Sequence, residues 1–120
     1  MSKIVLVVDD DSSIVHTIKS ILLKSGYEVI AGTNGDEALK LIKNTKPDLI
    51  ITDLAMPVMD GWYFRMKIRE DLRFKTTPII IISGLLVPEV AQDEHEAATF
   101  YIPKPFNSSI LLDKIKELLA

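Results

Sequence analysis

"KIVLVVDDDSSIVHTIKSILLKSGYEVIA", residues 3–31, changes periodicity twice within one short stretch. The run 3–8 (KIVLVV) is apolar at successive positions, so both faces of its pleat are apolar, as in a strand covered by helices on both sides. Ile14, Ile18, Ile21 and Leu22 then recur at helical spacing and form one stripe. Gly26 stops that helix in the manner of a left-handed C-terminal cap, and 27–31 (YEVIA) returns to a strand pattern. This is the sequence of a βαβ unit.

The alternation continues outward from it. Further strands are predicted over 48–52 (DLIIT), 78–83 (PIIIIS) and 99–102 (TFYI), the first two again apolar on both faces. Asn34, with Glu37 three residues on, forms a capping pattern for a helix carrying Ala38, Leu41 and Ile42. Asp60 caps a third helix with Phe64 and Ile68 turned inward. A fourth is expected around 88–97, on a weak apolar stripe. The last covers 107–119, capped by Asn107, with Leu111, Ile115, Leu118 and Leu119 on one face. Five strands alternating with five helices, joined by right-handed crossovers, predict a doubly wound α/β fold of three layers. A chain of 120 residues, 48% of them hydrophobic, is expected to be one domain, 1–120, with a single core.

Composition excludes several classes of function. The formal charge is -3, from 17 acidic and 14 basic residues, and the basic ones are spread along the chain, which argues against direct nucleic-acid binding. "FRMKIREDLRFK" is interleaved with Glu70 and Asp71 and reads as a solvated helix face. Cysteine is absent, so there is no disulfide framework or thiolate metal site. The apolar run Ile4 to Val8 is too short for a signal peptide or a membrane span, so a cytoplasmic location without membrane contact is expected. No nucleotide-binding glycine motif occurs. His16 and His95 read as surface histidines, and Trp62 as a packed aromatic.

The acids after the first strand pose the functional question, because three adjacent carboxylates repel one another. Asp11, or Ser12, serves as the cap of the first helix. In an open α/β sheet, ligands bind at the carboxyl ends of the strands where the strand order reverses. With a 2-1-3-4-5 order the reversal lies between strands 1 and 3, so Asp9 and Asp10 face Asp53. Ser83 ends strand 4 and Lys104 follows strand 5, bringing a hydroxyl and an ammonium to the same edge. Carboxylate oxygens suit Mg²⁺ or Mn²⁺ and leave coordination sites for phosphoryl oxygens. Asp53 is then placed to act as a nucleophile and form an aspartyl phosphate, with Lys104 and Ser83 on the phosphoryl oxygens.

The stretches "VLVVDDD", "LIITDLAMPVMDGW", "IIIISG" and "YIPKPF" resemble, in order and spacing, the receiver domain of two-component response regulators. The resemblance spans the whole chain and implies a flavodoxin-like three-layer sandwich. Carried over position by position, it implies that Asp53 is the phosphoacceptor, Asp10 a direct metal ligand and Asp9 a ligand acting mainly through water. Ala55 would offer the metal a backbone carbonyl, Ser83 would be the switch hydroxyl, Lys104 the phosphoryl-binding lysine and Tyr101 the aromatic switch. A cis Lys104-Pro105 peptide is implied too. The partner implied is a histidine kinase or histidine phosphotransfer protein, with the downstream effector left open. Such a protein catalyses only its own phosphorylation and dephosphorylation.

Three positions depart from the family pattern. Ala97 stands where glycine is usual, Pro103 precedes the lysine, and Leu85 is apolar where many relatives are polar. With Ala55 and Leu85 near the acceptor, neither able to hydrogen-bond a water, slow self-dephosphorylation is expected. Two other readings compete. A phosphohydrolase with an aspartyl intermediate would be expected to carry an acid where Ala55 stands, and a phosphorylation-independent interaction module has no need of Asp10, Asp53 and Lys104 together. The sequence is compatible with a stand-alone receiver and with the receiver of a longer chain.

Overall fold

Among the described residues, extended runs and capped helices fall where the pattern predicts them. The structure, a computed structural model, describes residues 2–54, 56, 59–84 and 98–120. Strands β1 (Ile4–Val8), β2 (Glu28–Gly32), β3 (Leu49–Asp53), β4 (Ile79–Ser83) and β5 (Thr99–Pro103) form one parallel sheet in the order β2-β1-β3-β4-β5. Helices α1 (Ser12–Lys24), α2 (Gly35–Leu41), α3 (Gly61–Glu70) and α4 (Ser108–Leu118) cover it, with a 3-10 turn at Leu72–Phe74. The helix expected around 88–97, together with Ala55, Leu85, His95 and Ala97, lies outside the described residues.

Strand alternation divides the core into two layers. Val5, Val7, Leu49, Ile51, Ile80, Ile82 and Ile102 pack with Ile18 and Leu22 of α1 and Leu111 and Ile115 of α4. Leu6, Val8, Ile50, Ile79 and Ile81 point the other way, onto Ala38 of α2 and Phe64 and Ile68 of α3. Each side chain of this size contributes about 1.5–3 kcal/mol when fully buried. That is why β3 and β4, buried at every position, read as continuous apolar runs.

Local signals set the helix starts. Asp11 Oδ1 accepts the Ser13 N–H at 2.9 Å, so Asp11 and not Ser12 is the α1 cap. Asn34 accepts the Glu37 N–H at 2.8 Å, while the Glu37 carboxylate reaches back to Thr33, one residue before the cap. Asp60 and Asn107 cap α3 and α4. Gly26 ends the α1 turn at φ 88°. Tyr27 donates its N–H to Leu22 O at 3.1 Å and so belongs to this cap, which moves the start of β2 one residue past the predicted position.

The segment expected to be a solvated face is only partly so. Phe74 is fully buried, and the half-buried Arg69 donates from one nitrogen to Phe74 O at 2.6 Å and Thr77 O at 2.7 Å. Arg65 reaches across to the buried Thr99 hydroxyl at 2.7 Å. Arg69 thus ties α3 to the 3-10 turn and the entry to β4, and Arg65 ties α3 to the start of β5.

Candidate functional site

The parity that sorts the core also aims the polar residues. Asp9 continues the Val5, Val7 row, Asp53 ends the Leu49, Ile51 row, and Lys104 follows Phe100 and Ile102, so all three emerge on the α1 and α4 side of the sheet edge. Lys104 Nζ lies 3.2 Å from Asp9 Oδ2 and 3.2 Å from Asp53 Oδ2. The remaining oxygens are fixed by the backbone: Asp9 Oδ1 accepts the Asp11 N–H at 2.9 Å and Asp53 Oδ1 the Leu54 N–H at 2.7 Å. Asp9, at 3% exposure, and Asp53, at 7%, are buried, whereas Asp10 is exposed.

Carboxylate oxygens of Asp9, Asp10 and Asp53 all lie within 4.8 Å of one another. Three acidic oxygens so close form a hard-donor set that fits a small divalent cation. Burial pushes the Asp9 carboxyl above its ordinary range, against the Asp11 N–H and Lys104 that hold it down. For Lys104 burial acts to lower the pKa, but the hydrogen bonds it gives Asp53 and Asp9 outweigh this and hold the ammonium above the usual lysine range.

Ser83 is buried at the end of β4, and its carbonyl accepts the Lys104 N–H at 2.9 Å. By parity Ser83 follows Ile79 and Ile81, on the α2 and α3 side, and Tyr101 packs on that same side. Ile81 pairs with Tyr101 and Ser83 with Pro103, so Ser83 and Tyr101 lie two residues apart in register on neighbouring strands. The Lys104-Pro105 peptide is cis. Of the residues singled out by sequence, the structure brings together Asp9, Asp10, Asp53 and Lys104, with Ser83 and Tyr101 on the α2 and α3 side of the sheet; Ala55 lies outside the described residues.

Residues 5–116 match the family model of the response regulator receiver domain. The chain belongs to this family. Its relatives include protein PilG of Pseudomonas aeruginosa, 36% identical over 93% of this chain and 84% of PilG. They also include the alkaline phosphatase synthesis transcriptional regulatory protein PhoP of Bacillus subtilis, 35% identical over 99% of this chain but only 49% of PhoP. Among solved structures, the chemotaxis response regulator CheY4 of Vibrio cholerae superposes with a TM-score of 0.89 at 35% identity, covering 98% of this chain and 99% of that one. The fold is the flavodoxin-like receiver fold, and as a receiver domain the chain is a phosphorylation-based signalling switch of two-component systems.

Two features of this receiver domain were not singled out from its sequence. Gly61 N–H donates to Leu54 O at 2.8 Å, and a Cβ on Gly61 would strike the Asp53 carbonyl oxygen and sit 2.8 Å from Leu54 Cα. The Asp-Gly pair before α3 signals a capped start; only the tertiary approach shows that the glycine shapes the end of β3. The second is a groove of about 440 Å³ beside the site, lined by Ser13, Ile14, Thr17, Lys104, Pro105 and Phe106. Among the described residues no helix is long and apolar enough to cross a membrane.

Proposed function

We propose that residues 1–120 form a single receiver domain that accepts a phosphoryl group onto Asp53 from a histidine kinase or histidine phosphotransfer protein. The observation that carries this reading is Lys104 Nζ bridging Asp9 and Asp53 at 3.2 Å each, within a cluster of three carboxylates. A carboxylate oxygen of Asp53 attacks phosphorus, the P–N bond to the donor imidazole breaks, and the freed nitrogen takes up a proton. Lys104 holds phosphoryl oxygens by charge-assisted hydrogen bonds, and the Ser83 hydroxyl donates another. Asp9, Asp10 and Asp53, with the carbonyl of Ala55, are the residues that would hold Mg²⁺ or Mn²⁺. The cation, when bound, supplies positive charge that offsets the crowded carboxylates and the phosphoryl oxygens.

Drawing the Ser83 hydroxyl toward the phosphoryl group vacates space toward Tyr101, biasing a surface made by the helix expected near 88–97, β5 and α4. The groove lined by Lys104, whose Nζ contacts Asp53, is where the phosphodonor protein docks. The domain turns over no external substrate, acts in the cytoplasm and reads no nucleic acid itself.

Intact mass after incubation with acetyl phosphate and Mg²⁺ tests the assignment. The wild type should gain one phosphoryl mass, chelation should abolish the gain, and Asp53→Asn should not show it. An Asp53→Asn protein labelled as fast as the wild type would refute the acceptor. Ser83→Ala should still be labelled while the amide shifts of β5 and α4 stop responding. Unchanged shifts there on phosphorylating the wild type would end the relay.

A further inference from the structure

Trp62, the sole tryptophan of the chain, follows Gly61 at the start of α3. Because Gly61 is hydrogen-bonded to Leu54 O and seated against the end of β3, the backbone that carries the indole has little freedom to shift. The half-buried indole faces the Tyr101 ring with centroids 5.9 Å apart and planes tilted by 47°. That separation lies within the range of attractive aromatic pairs, at a tilt between stacked and edge-to-face. Tyr101 belongs to the same core layer as Trp62, Met56 and Met59, and its hydroxyl oxygen is buried, so the ring is turned into the molecule.

We propose that Trp62 is a positioning residue for Tyr101: the indole holds the tyrosine ring in its inward position, so the ring's equilibrium depends on Trp62 as well as on the phosphoryl site. The physical ground is differential contact. An inward ring keeps the aromatic pair and the buried surface, while a ring swung outward from β5 loses both, and a contact present in only one of two states shifts their ratio. An aromatic pair of this kind shifts that ratio roughly two- to tenfold. The inference extends the proposed function, resting on its reading of Tyr101 as the relay, and adds a phosphorylation-independent setting of the relay by a residue on α3.

The test uses the full chain with carbon-13-labelled tyrosine rings, comparing wild type, Trp62→Phe and Trp62→Leu. The three-bond couplings of Tyr101 report its χ1 angle and, unlike its chemical shift, are unaffected by loss of the indole ring current. Each protein is measured before and after acetyl phosphate with Mg²⁺, and phosphate is counted by intact mass. Without phosphodonor, wild type should show indole-to-Tyr101 cross-relaxation and couplings of a dominant inward rotamer. Trp62→Leu should move the couplings toward a mixture by the fold-change above and enlarge the change on phosphorylation, and Trp62→Phe should restore most of the wild-type value. A mere loss of packing stability would lower the melting temperature without moving the rotamer ratio.

Wild-type couplings in a folded Trp62→Leu protein would overturn the proposal. Should that variant not fold, absence of indole-to-Tyr101 cross-relaxation in the wild type, or Trp62→Phe couplings as far from wild type as full rotamer averaging, would overturn it equally. Failure of the wild type to gain phosphoryl mass would refute the acceptor assignment alone, because the couplings taken without phosphodonor still decide the role of Trp62.

Discussion

An alanine methyl at position 61 would meet the Asp53 carbonyl oxygen and Leu54 Cα, both backbone atoms that cannot swing aside. Alanine is the better helix former, but α3 begins at this residue, and the overlap with backbone should dominate. Gly61→Ala is expected to destabilise the protein by about 1–3 kcal/mol in urea unfolding, and to slow acetyl phosphate labelling by displacing the end of β3. Wild-type stability and labelling would show that the two segments can part without cost. A second residue-scale case is Asp71, whose carboxyl is held below its usual range first by the Arg73 side chain and then by the Arg73 N–H. Since the folded value is the depressed one, this cap contributes above the unfolded value of 3.8 and is lost as pH falls through the folded value. A carboxyl NMR titration should place Asp71 below 3.8, and Arg73→Ala should return it only part of the way, because the backbone N–H still donates. Asp9 and Asp53 are legible in the sequence because each closes a strand run, and Asp10 because it adjoins Asp9. Gly61 was not legible as a contact, since what it avoids lies in another segment.

Elements were read well where one signal fixes an end, and less well where two compete. Asn107 and Asp60 place α4 and α3 directly, whereas Tyr27, apolar enough for a strand, is claimed by the α1 cap. Arg69 looked like part of a charged face because its sequence neighbours are charged. Its two carbonyl acceptors come from the 3-10 turn and the entry to β4, which no helical pattern reveals. Burial, with the nearby Arg65 charge, pulls its pKa down to about 10, so it remains a cation at neutral pH. Arg69→Met should leave Phe74 O and Thr77 O without this donor and cost about 1.5–3 kcal/mol, the range for hydrogen bonds to a charged group. Equal denaturation midpoints would mean water replaces the guanidinium at no cost. The entry to β5 offers the opposite sign. Ala98 sits at φ 54°, a left-handed conformation that penalises a Cβ, with its carbonyl pinned by the Ile79 N–H at 3.0 Å. The departure from the family's glycine is legible in the sequence at the neighbouring Ala97, which lies outside the described residues. Ala98→Gly should stabilise by about 0.5–1 kcal/mol, the relieved strain exceeding the extra entropy of an unfolded glycine.

For the whole molecule, the site exists because topology reverses between β1 and β3 and so leaves their acidic ends side by side, while β5 delivers a lysine across the gap. A small phosphodonor needs only that edge. On the proposed reading, a protein donor must also seat its own surface so that a phosphohistidine reaches Asp53, and among the described residues the groove between the start of α1 and the Lys104–Phe106 segment is a concave surface beside Lys104. Thr17 lines this groove from an exposed position on α1, and its hydroxyl donates to Ser13 O at 2.9 Å within the helix. Filling the groove with Thr17→Trp should therefore separate the two classes of donor. Labelling by acetyl phosphate should keep its wild-type rate, because Asp53, Lys104 and their hydrogen bonds are untouched. Transfer from a purified phosphohistidine protein that labels the wild type should slow at least about tenfold, the effect of ~1.4 kcal/mol lost from the docked complex. Parallel slowing with both donors would mean that the substitution distorts the acceptor edge itself. Equal rates with the protein donor would place docking on a different face.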